Sequence, residues 1–255
     1  MKFSIDVSLY DAVQADGKTY KAMNWSAFDL AIIKSSEAMF VDPAFKLQWA
    51  AAAGKPRVAY HFFRSNVNAI AQAQMLLATL SDFTDNDYVA VDFETMDGQK
   101  GAQCLANLAS FLYEAEKVVP ASRILIYTSP SFWTELGGTK CSWASKYMLW
   151  LAQWPKDKWI LNFPVNIFDG KGLAQLKSDI EMGVLKPSIP LPWKSVAVWQ
   201  FTSRADTKVI PGYVGVKKVA DYDAVFMPLI STVVNTLACP YCGHTLGSGW
   251  SYTQP

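Results

Sequence analysis

Histidine is nearly missing from this 255-residue chain, which has only His61 and His244. A catalytic zinc site built on imidazoles therefore lacks ligands. A serine-hydrolase triad would have to use His61, and no GxSxG supplies its nucleophile. GxGxxG and GxxxxGK[ST] are also absent, so nucleotide-dependent chemistry has no motif behind it. Neither sign of charge dominates: 23 Lys and Arg stand against 22 Asp and Glu. That balance gives no field to gather nucleic acid or an anionic membrane surface. No uninterrupted apolar run without charge is long enough for a membrane span. Asp6 breaks the first apolar stretch at once, so no signal-peptide core is expected. Beyond Asp223 the chain has no Asp, Glu, Lys or Arg. Pro228, Ser231, Thr232 and Asn235 still interrupt that stretch. Its stripe of Leu229, Ile230, Val233, Val234 and Leu237 predicts a last helix packed on the domain. Cysteine is scarce, with four in all. Cys239-Pro-Tyr-Cys242-Gly-His244 resembles half a zinc knuckle, but Cys104 and Cys141 are far apart and not in a CxxC. No metal is expected, and the two tail thiols are read as a surface turn.

What the chain does have is core material: 51% hydrophobic residues, 14% aromatic and ten Trp. Apolar runs rich in β-branched and aromatic residues recur at Phe3–Ser8, Leu30–Ser35, Arg57–Phe63, Tyr88–Glu94, Ile124–Ser129, Tyr147–Gln153 and Val196–Thr202, with a weaker one around Tyr222–Phe226. Helix patterns lie between several of them. Asp42-Pro43 predicts one start, Asn68 another, and Ala102–Val118 a third helix. Leu173–Met182 reads as a helix within an excursion from the barrel that ends in a proline-rich stretch. Strands alternating with helices predict an α/β fold, a single irregular β/α (TIM-like) barrel with its active site at the C-terminal strand ends.

Acids stand out in these apolar strands. Asp92 and Glu94 in Val89-Ala-Val-Asp-Phe-Glu lie two apart, so their side chains leave one face, with Cα atoms roughly 6.5 Å apart. Carboxyls that close do not ionise independently; one is pushed toward the protonated form. Glycosidic cleavage needs that division, an acid for the leaving oxygen and a negative charge facing the sugar cation. A strand-end pair of this kind is common in proteins without such chemistry. The neighbouring strand ends add weight, because Tyr60, Tyr127, Trp199 and Gln200 are suited to a sugar cleft.

In order along the chain, "FSIDVSLYD", "FDLAIIKSSE", "DPAFKLQWAAAAGKPRVAYHFF", "YVAVDFET", "ILIYTSPSFW", "YMLWLAQWP", "VAVWQFTS" and "ADYDAVF" resemble glycoside hydrolase family 25, the lysozyme-like N-acetylmuramidases. The resemblance covers most of residues 3–226. It implies an irregular β/α barrel that cuts the β-1,4 bond between N-acetylmuramic acid and N-acetylglucosamine in peptidoglycan, without cofactor. By motif position it implies catalytic roles for Asp6, Asp92, Glu94 as proton donor, and Asp223, with Asp221 two residues before it. It places Lys34, Glu37, Tyr60, Tyr127, Trp150, Trp199 and Gln200 along the cleft. Residues 1–238 form the expected catalytic barrel and 239–255 a short tail with the CxxC. Two departures are visible: Ala38 stands where the family usually has glycine, and Pro155–Ser195 is long.

The expected partner is the peptidoglycan glycan strand, with no nucleic acid, no membrane insertion and a monomeric protein. A phage-type lysin, cytoplasmic until released to the wall, fits this reading, as does a secreted enzyme whose leader is absent from the chain. Two alternatives compete. A chitinase-like family 18 hydrolase would want aspartates two and five residues before Asp92, where Ala90 and Asp87 stand. A non-catalytic sugar-binding barrel would carry four acids at a burial cost it has no use for.

Overall fold

The computed structural model describes residues 1–154 and 169–228. The expected helix over Leu229–Leu237, the boundary after residue 238 and the Cys239, Cys242 and His244 tail lie outside the described residues. Ten strands form one sheet: β1 (Lys2–Ser4), β2 (Asp6–Val7), β3 (Ala31–Glu37), β4 (Phe40–Val41), β5 (Arg57–Phe62), β6 (Asp87–Asp92), β7 (Ile124–Thr128), β8 (Met148–Ala152), β9 (Val198–Asp206) and β10 (Val219–Val225). Their order is β1-β10-β9-β8-β7-β6-β5-β3-β2, with β4 a short hairpin partner of β3. From β2 through β9 neighbouring strands of this path are parallel, while β10 runs antiparallel to both β9 and β1. The two ends of the path, β1 and β2, are consecutive pieces of one extended segment joined at Ile5. The sheet is thereby wrapped into a barrel.

Strand alternation divides the apolar residues into two cores. Leu30, Ile32, Val58, Tyr60, Tyr88, Ala90, Leu125, Tyr127, Trp150 and Val198 pack together inside the barrel. Ile33, Ala59, Val91, Ile126, Leu149 and Phe201 belong to the outer core, with Leu76, Leu108, Phe111 and Leu112 from the covering helices. A sheet buried on both faces explains the unbroken apolar runs. At roughly 25 cal/mol per Å², each fully buried large side chain contributes about 1.5–3 kcal/mol relative to exposure.

The helices are α1 (Leu9–Ala12), α2 (Phe45–Ala51), α3 (Ala69–Ala78), α4 (Gly101–Ala115), α5 (Pro130–Glu135) and α6 (Gly170–Glu181). Asn68 caps α3 as expected, its side chain accepting from Ala71 N. The start expected at Asp42-Pro43 is displaced to Phe45. Asp42 uses Oδ1 for Ala44 N at 2.8 Å and Oδ2 for Leu9 N at 2.9 Å, tying this turn to α1. At the N-terminal end of the parallel strands, buried Arg57 grips Asp87 through two bonds of 2.9 and 2.7 Å and lies 4.0 Å over the Trp49 ring.

Candidate active site

The C-terminal ends of the parallel strands hold the acids. Asp6 projects inward from β2, between outward-facing Ile5 and Val7 of the outer core. Asp92 closes β6 and pairs in register with Phe62 and Tyr127. Glu94 follows one residue beyond Phe93, whose side chain is in the outer core. Alternation therefore carries Glu94 to the same side as Asp92. Asp221 and Asp223 lie two apart on β10, Asp223 level with Gln200 and Ser4.

Beneath them is an aromatic floor. The Trp150 ring meets Tyr127 and Tyr60 edge-on at 4.6 and 5.7 Å between centroids. Trp150 Nε1 donates to Asp223 Oδ1 at 2.8 Å. Tyr127 OH donates to Gln200 Oε1 at 3.1 Å, and Gln200 Nε2 donates to Asp6 Oδ2 at 3.0 Å. Trp150, Tyr127 and Gln200 thus fix two of the carboxyls from below. Tyr60, Tyr127 and Trp150 are nearly sealed from solvent, which makes them floor rather than wall.

A bulge supplies the basic side of the site. Lys34 pairs with Tyr60, but Ser36 pairs with His61, so Ser35 is the extra residue in β3. One extra residue reverses the facing of everything after it. Ser36 turns outward, its hydroxyl 2.8 Å from His61 Nδ1 in the outer core. Glu37 turns inward beside Lys34, its Oε2 2.7 Å from Nζ. Arg64 adds a second cation, 3.7 Å from Glu37 and 3.3 Å from Asp97.

Five neighbouring carboxyls cannot all be charged. Burial pushes Asp92 well above the ordinary aspartate value, with Glu94 adding to the rise and Lys34 opposing it. Asp6 is likewise raised well above the ordinary value by burial and by Asp221 and Asp223, against its bond from Gln200. Burial and then Asp11 lift Asp221 to about 7. Burial lifts Asp223 to about 8 against the Trp150 bond. Glu94 is open to solvent on one side, yet the barrel rim removes enough water to raise it, with Lys34 opposing. Asp92 Oδ1 is buried without a hydrogen-bond partner among the described residues. A proton donor raised above the ordinary carboxylate range, beside buried acceptors with unused capacity, is equipment for acid-assisted bond cleavage.

Of the residues expected here, the structure brings together Asp6, Lys34, Glu37, Tyr60, Asp92, Glu94, Tyr127, Trp150, Gln200 and Asp223. It does not bring Trp199. That ring belongs to the outer core, fully buried on the opposite face of β9 from Gln200, and its Nε1 donates to Gln153 O. Adjacent strand residues point opposite ways, so Trp199 and Gln200 cannot both line one cleft. Two further residues join the group. Asp221 is partly exposed where Asp223 is fully buried, and it raises both Asp6 and Asp92. Trp154 is half exposed and brings its Nε1 to within 3.4 Å of Gln200 Oε1. Parity with Asp223 and with Trp150 is the sequence signal that marks them. His61 is buried outside the barrel against Gln72 and Ser36 and is pushed down to about 4 by that burial. No group of three or more His, Cys, Asp or Glu among the described residues is arranged to hold a metal ion.

Comparison with known proteins gives the site its context. The crystal structure of a bacterial lysozyme from Streptomyces coelicolor superposes with a TM-score of 0.64 at 22% identity, covering 89% of this chain and 92% of that one. A muramidase from Trichobolus zukalii gives 0.62 at 19% identity over 90% and 95% of the chains. The catalytic domain of an endolysin from bacteriophage P40 of Listeria monocytogenes gives 0.60 at 18% over 89% and 93%. These likenesses concern the fold. Among curated proteins, the uncharacterized protein YegX of Escherichia coli K12 is 30% identical over 136 residues, 51% of this chain and 48% of that protein. The match thus spans about half the length of that relative. The sequence profile described as Glycosyl hydrolases family 25 matches residues 5–210, most of the barrel, and the chain belongs to that family.

Proposed function

We propose that this protein is a peptidoglycan hydrolase, a lysozyme of the N-acetylmuramidase type that cuts the β-1,4 bond between N-acetylmuramic acid and N-acetylglucosamine. The observation that carries the reading is the Asp92–Glu94 pair at the end of β6, one carboxyl buried and the other at the mouth. Glu94 donates its proton to the leaving oxygen as the anomeric C–O bond breaks. Asp92 Oδ1, which has no hydrogen-bond partner among the described residues, accepts the N–H of the substrate's 2-acetamido group. The acetamido oxygen then attacks the anomeric carbon. Water opens the resulting ring and returns a proton to Glu94. The charge that Asp6, Asp92, Asp221 and Asp223 share among them faces the cationic transition state, and the members that keep a proton hold substrate or water by hydrogen bonds. Lys34, Glu37 and Gln200 offer donors and acceptors for sugar hydroxyls, over the floor of Tyr60, Tyr127 and Trp150. Exposed Trp154 offers a stacking face.

The substrate is the glycan strand, attacked by a monomer without a cofactor. Near-neutral net charge gives no pull toward nucleic acid. Among the described residues no helix is long and apolar enough to cross a membrane. The enzyme reaches the wall after release by another protein or by way of a leader.

The test is digestion of purified peptidoglycan, borohydride reduction of the products and mass spectrometry. Reduced N-acetylmuramic acid ends are expected. Reduced N-acetylglucosamine ends, or free stem peptides, would overturn the assignment. Glu94→Gln keeps size and hydrogen bonding but delivers no proton, so its rate should fall by at least about 10²–10⁴-fold with folding intact. Asp92→Asn should move the alkaline limb of the rate profile to lower pH, because Glu94 then loses one of the carboxyls with which it shares protons.

A further inference from the structure

The barrel has one seam without a ladder. β1 pairs with β10 only from Lys2↔Val225 to Ser4↔Asp223. Above that level β2 pairs, among the described residues, with β3 alone. Asp6 and Asp221 occupy the two sides of this unpaired stretch, and both are carboxyls of the site. Backbone hydrogen bonds hold every other acid-bearing strand on both sides. Something else must fix the spacing here.

Asp11 lies across the seam. It sits on α1, which follows Asp6 directly, and is almost fully buried. Its Oδ2 accepts from Ser8 N at 3.0 Å and Ser8 Oγ at 3.1 Å on its own side. Its Oδ1 accepts from the opposite side, from Lys217 Nζ at 2.9 Å and Tyr213 OH at 3.3 Å. Lys217 is four residues before Asp221, at the end of a strap that leads into β10. The strap is seated on the N-terminal segment along its length. Asn24 N donates to Gly212 O at 2.9 Å, and Gln14 Nε2 to Val214 O at 3.4 Å. A Cβ on Gly215 would stand 1.9 Å from Asp11 O, so only glycine lets the strap lie this close.

We propose that Asp11, through Lys217 and Tyr213, is a positioning residue that clamps the open seam and sets Asp221 opposite Asp6. This rests on the hydrolase reading above for its meaning in catalysis. The groups facing Asp221 are Asp6 from β2, Asp11 from α1, Tyr213 and Lys217 from the strap, Tyr60 from β5, Asp92 and Glu94 at the end of β6, Tyr127 from β7 and Asp223 on its own strand. Asp11 and Lys217 act on it with opposite sign. Asp11→Asn removes a negative neighbour and leaves Lys217 unpaired, which favours the charged form of Asp221. Lys217→Met does the reverse.

The experiment is a carbon-13 NMR titration of the Asp221 carboxyl in the full chain, run beside peptidoglycan hydrolysis across pH. The midpoint of Asp221 should fall in Asp11→Asn and rise in Lys217→Met, each by about one pH unit. Turnover should drop about 10- to 100-fold in both, with little change in KM, because displacement of a charged group by about 1 Å is enough for that loss. A role confined to folding would move neither midpoint in opposite directions. Unmoved midpoints, or shifts of the same sign, would overturn the clamp. Shifted midpoints in a protein that never cleaves peptidoglycan would overturn the hydrolase reading and leave the clamp standing.

Discussion

Ala38 and Asp97 share an unusual backbone angle, each with φ of 46°, and replacing either with glycine should have opposite effects. Ala38 begins the two-residue link between β3 and β4, and its amide bonds Phe62 O at 3.3 Å. The left-handed region costs an alanine about 1–2 kcal/mol, from Cβ against the carbonyl. Glycine removes that cost and keeps the N–H, but its freer unfolded chain takes back about 0.5–1 kcal/mol. The net gain for Ala38→Gly is about 0.5–1 kcal/mol, a rise in Tm of about 1–4 °C for a domain of this size. Asp97 obtains something for its strain. Its Oδ2 accepts from Ser65 N at 2.7 Å and its Oδ1 pairs with Arg64 at 3.3 Å. A hydrogen bond to a charged acceptor is worth about 1.5–3 kcal/mol, so Asp97→Gly should lower Tm by several degrees. Calorimetry of the two variants in one buffer decides the matter. A lowered Tm in Ala38→Gly, or a raised one in Asp97→Gly, would refute the account of both turns.

Arg57→Met should cost about 3–5 kcal/mol in urea unfolding, because Asp87 is left buried and unpaired; a loss below about 1 kcal/mol would show that the pair is solvated or replaceable. Asp223 is raised on folding from an ordinary value of 3.8 to about 8, so the folded state holds a proton that the unfolded state has lost across that window. Its contribution is full below about pH 4 and declines as pH rises through 8, at about 1.4 kcal/mol per pH unit. Urea unfolding of Asp223→Asn between pH 5 and 8 should show a slope shallower by about that much; an unchanged slope would mean that Asp223 is ionised in the fold. Tyr127→Phe removes the bond that orients Gln200 toward Asp6 and should slow hydrolysis about 3- to 10-fold without loss of Tm; an unaffected rate would mean that Gln200 is held by Trp154 and Asp6 alone.

Much of this architecture could be read from the chain because alternation and apolarity act locally. The runs around Arg57–Phe62, Ile124–Thr128 and Met148–Ala152 announced their strands almost residue for residue, since both faces of each are buried. The acids were legible for the converse reason: a carboxyl inside such a run has no apolar use. What escaped depends on long-range geometry. Trp199 was expected in the cleft through its motif, although its parity with Gln200 already assigned it to the other face. Asp221 stood in the shadow of Asp223 because both lie on one side of β10, and only the depth of each in the barrel separates them. The Ser35 bulge has no local signature. Its cause is the pairing of Ser36 with His61, on a strand that begins 20 residues after Glu37. Asp11 is not marked by any local pattern, and its place shows only when the strap from residues 207–218 arrives beside it.

The way the sheet closes also sets an order of events in the growing chain. Among the described strands β1 leaves the ribosome first, and its partner β10 follows after all the others. Lys2 must wait for Val225. At about 5–20 residues per second, the intervening chain takes roughly 11–45 s to synthesise. Throughout that interval β1 presents Phe3 beside unmet backbone donors and acceptors, the kind of edge that recruits a second copy. Chains stalled anywhere before Val219 would therefore be both open and adhesive, whatever the state of β3 to β9. Expression conditions that slow elongation should lower soluble yield more steeply for this protein than for a barrel of equal length whose first strand pairs with its second.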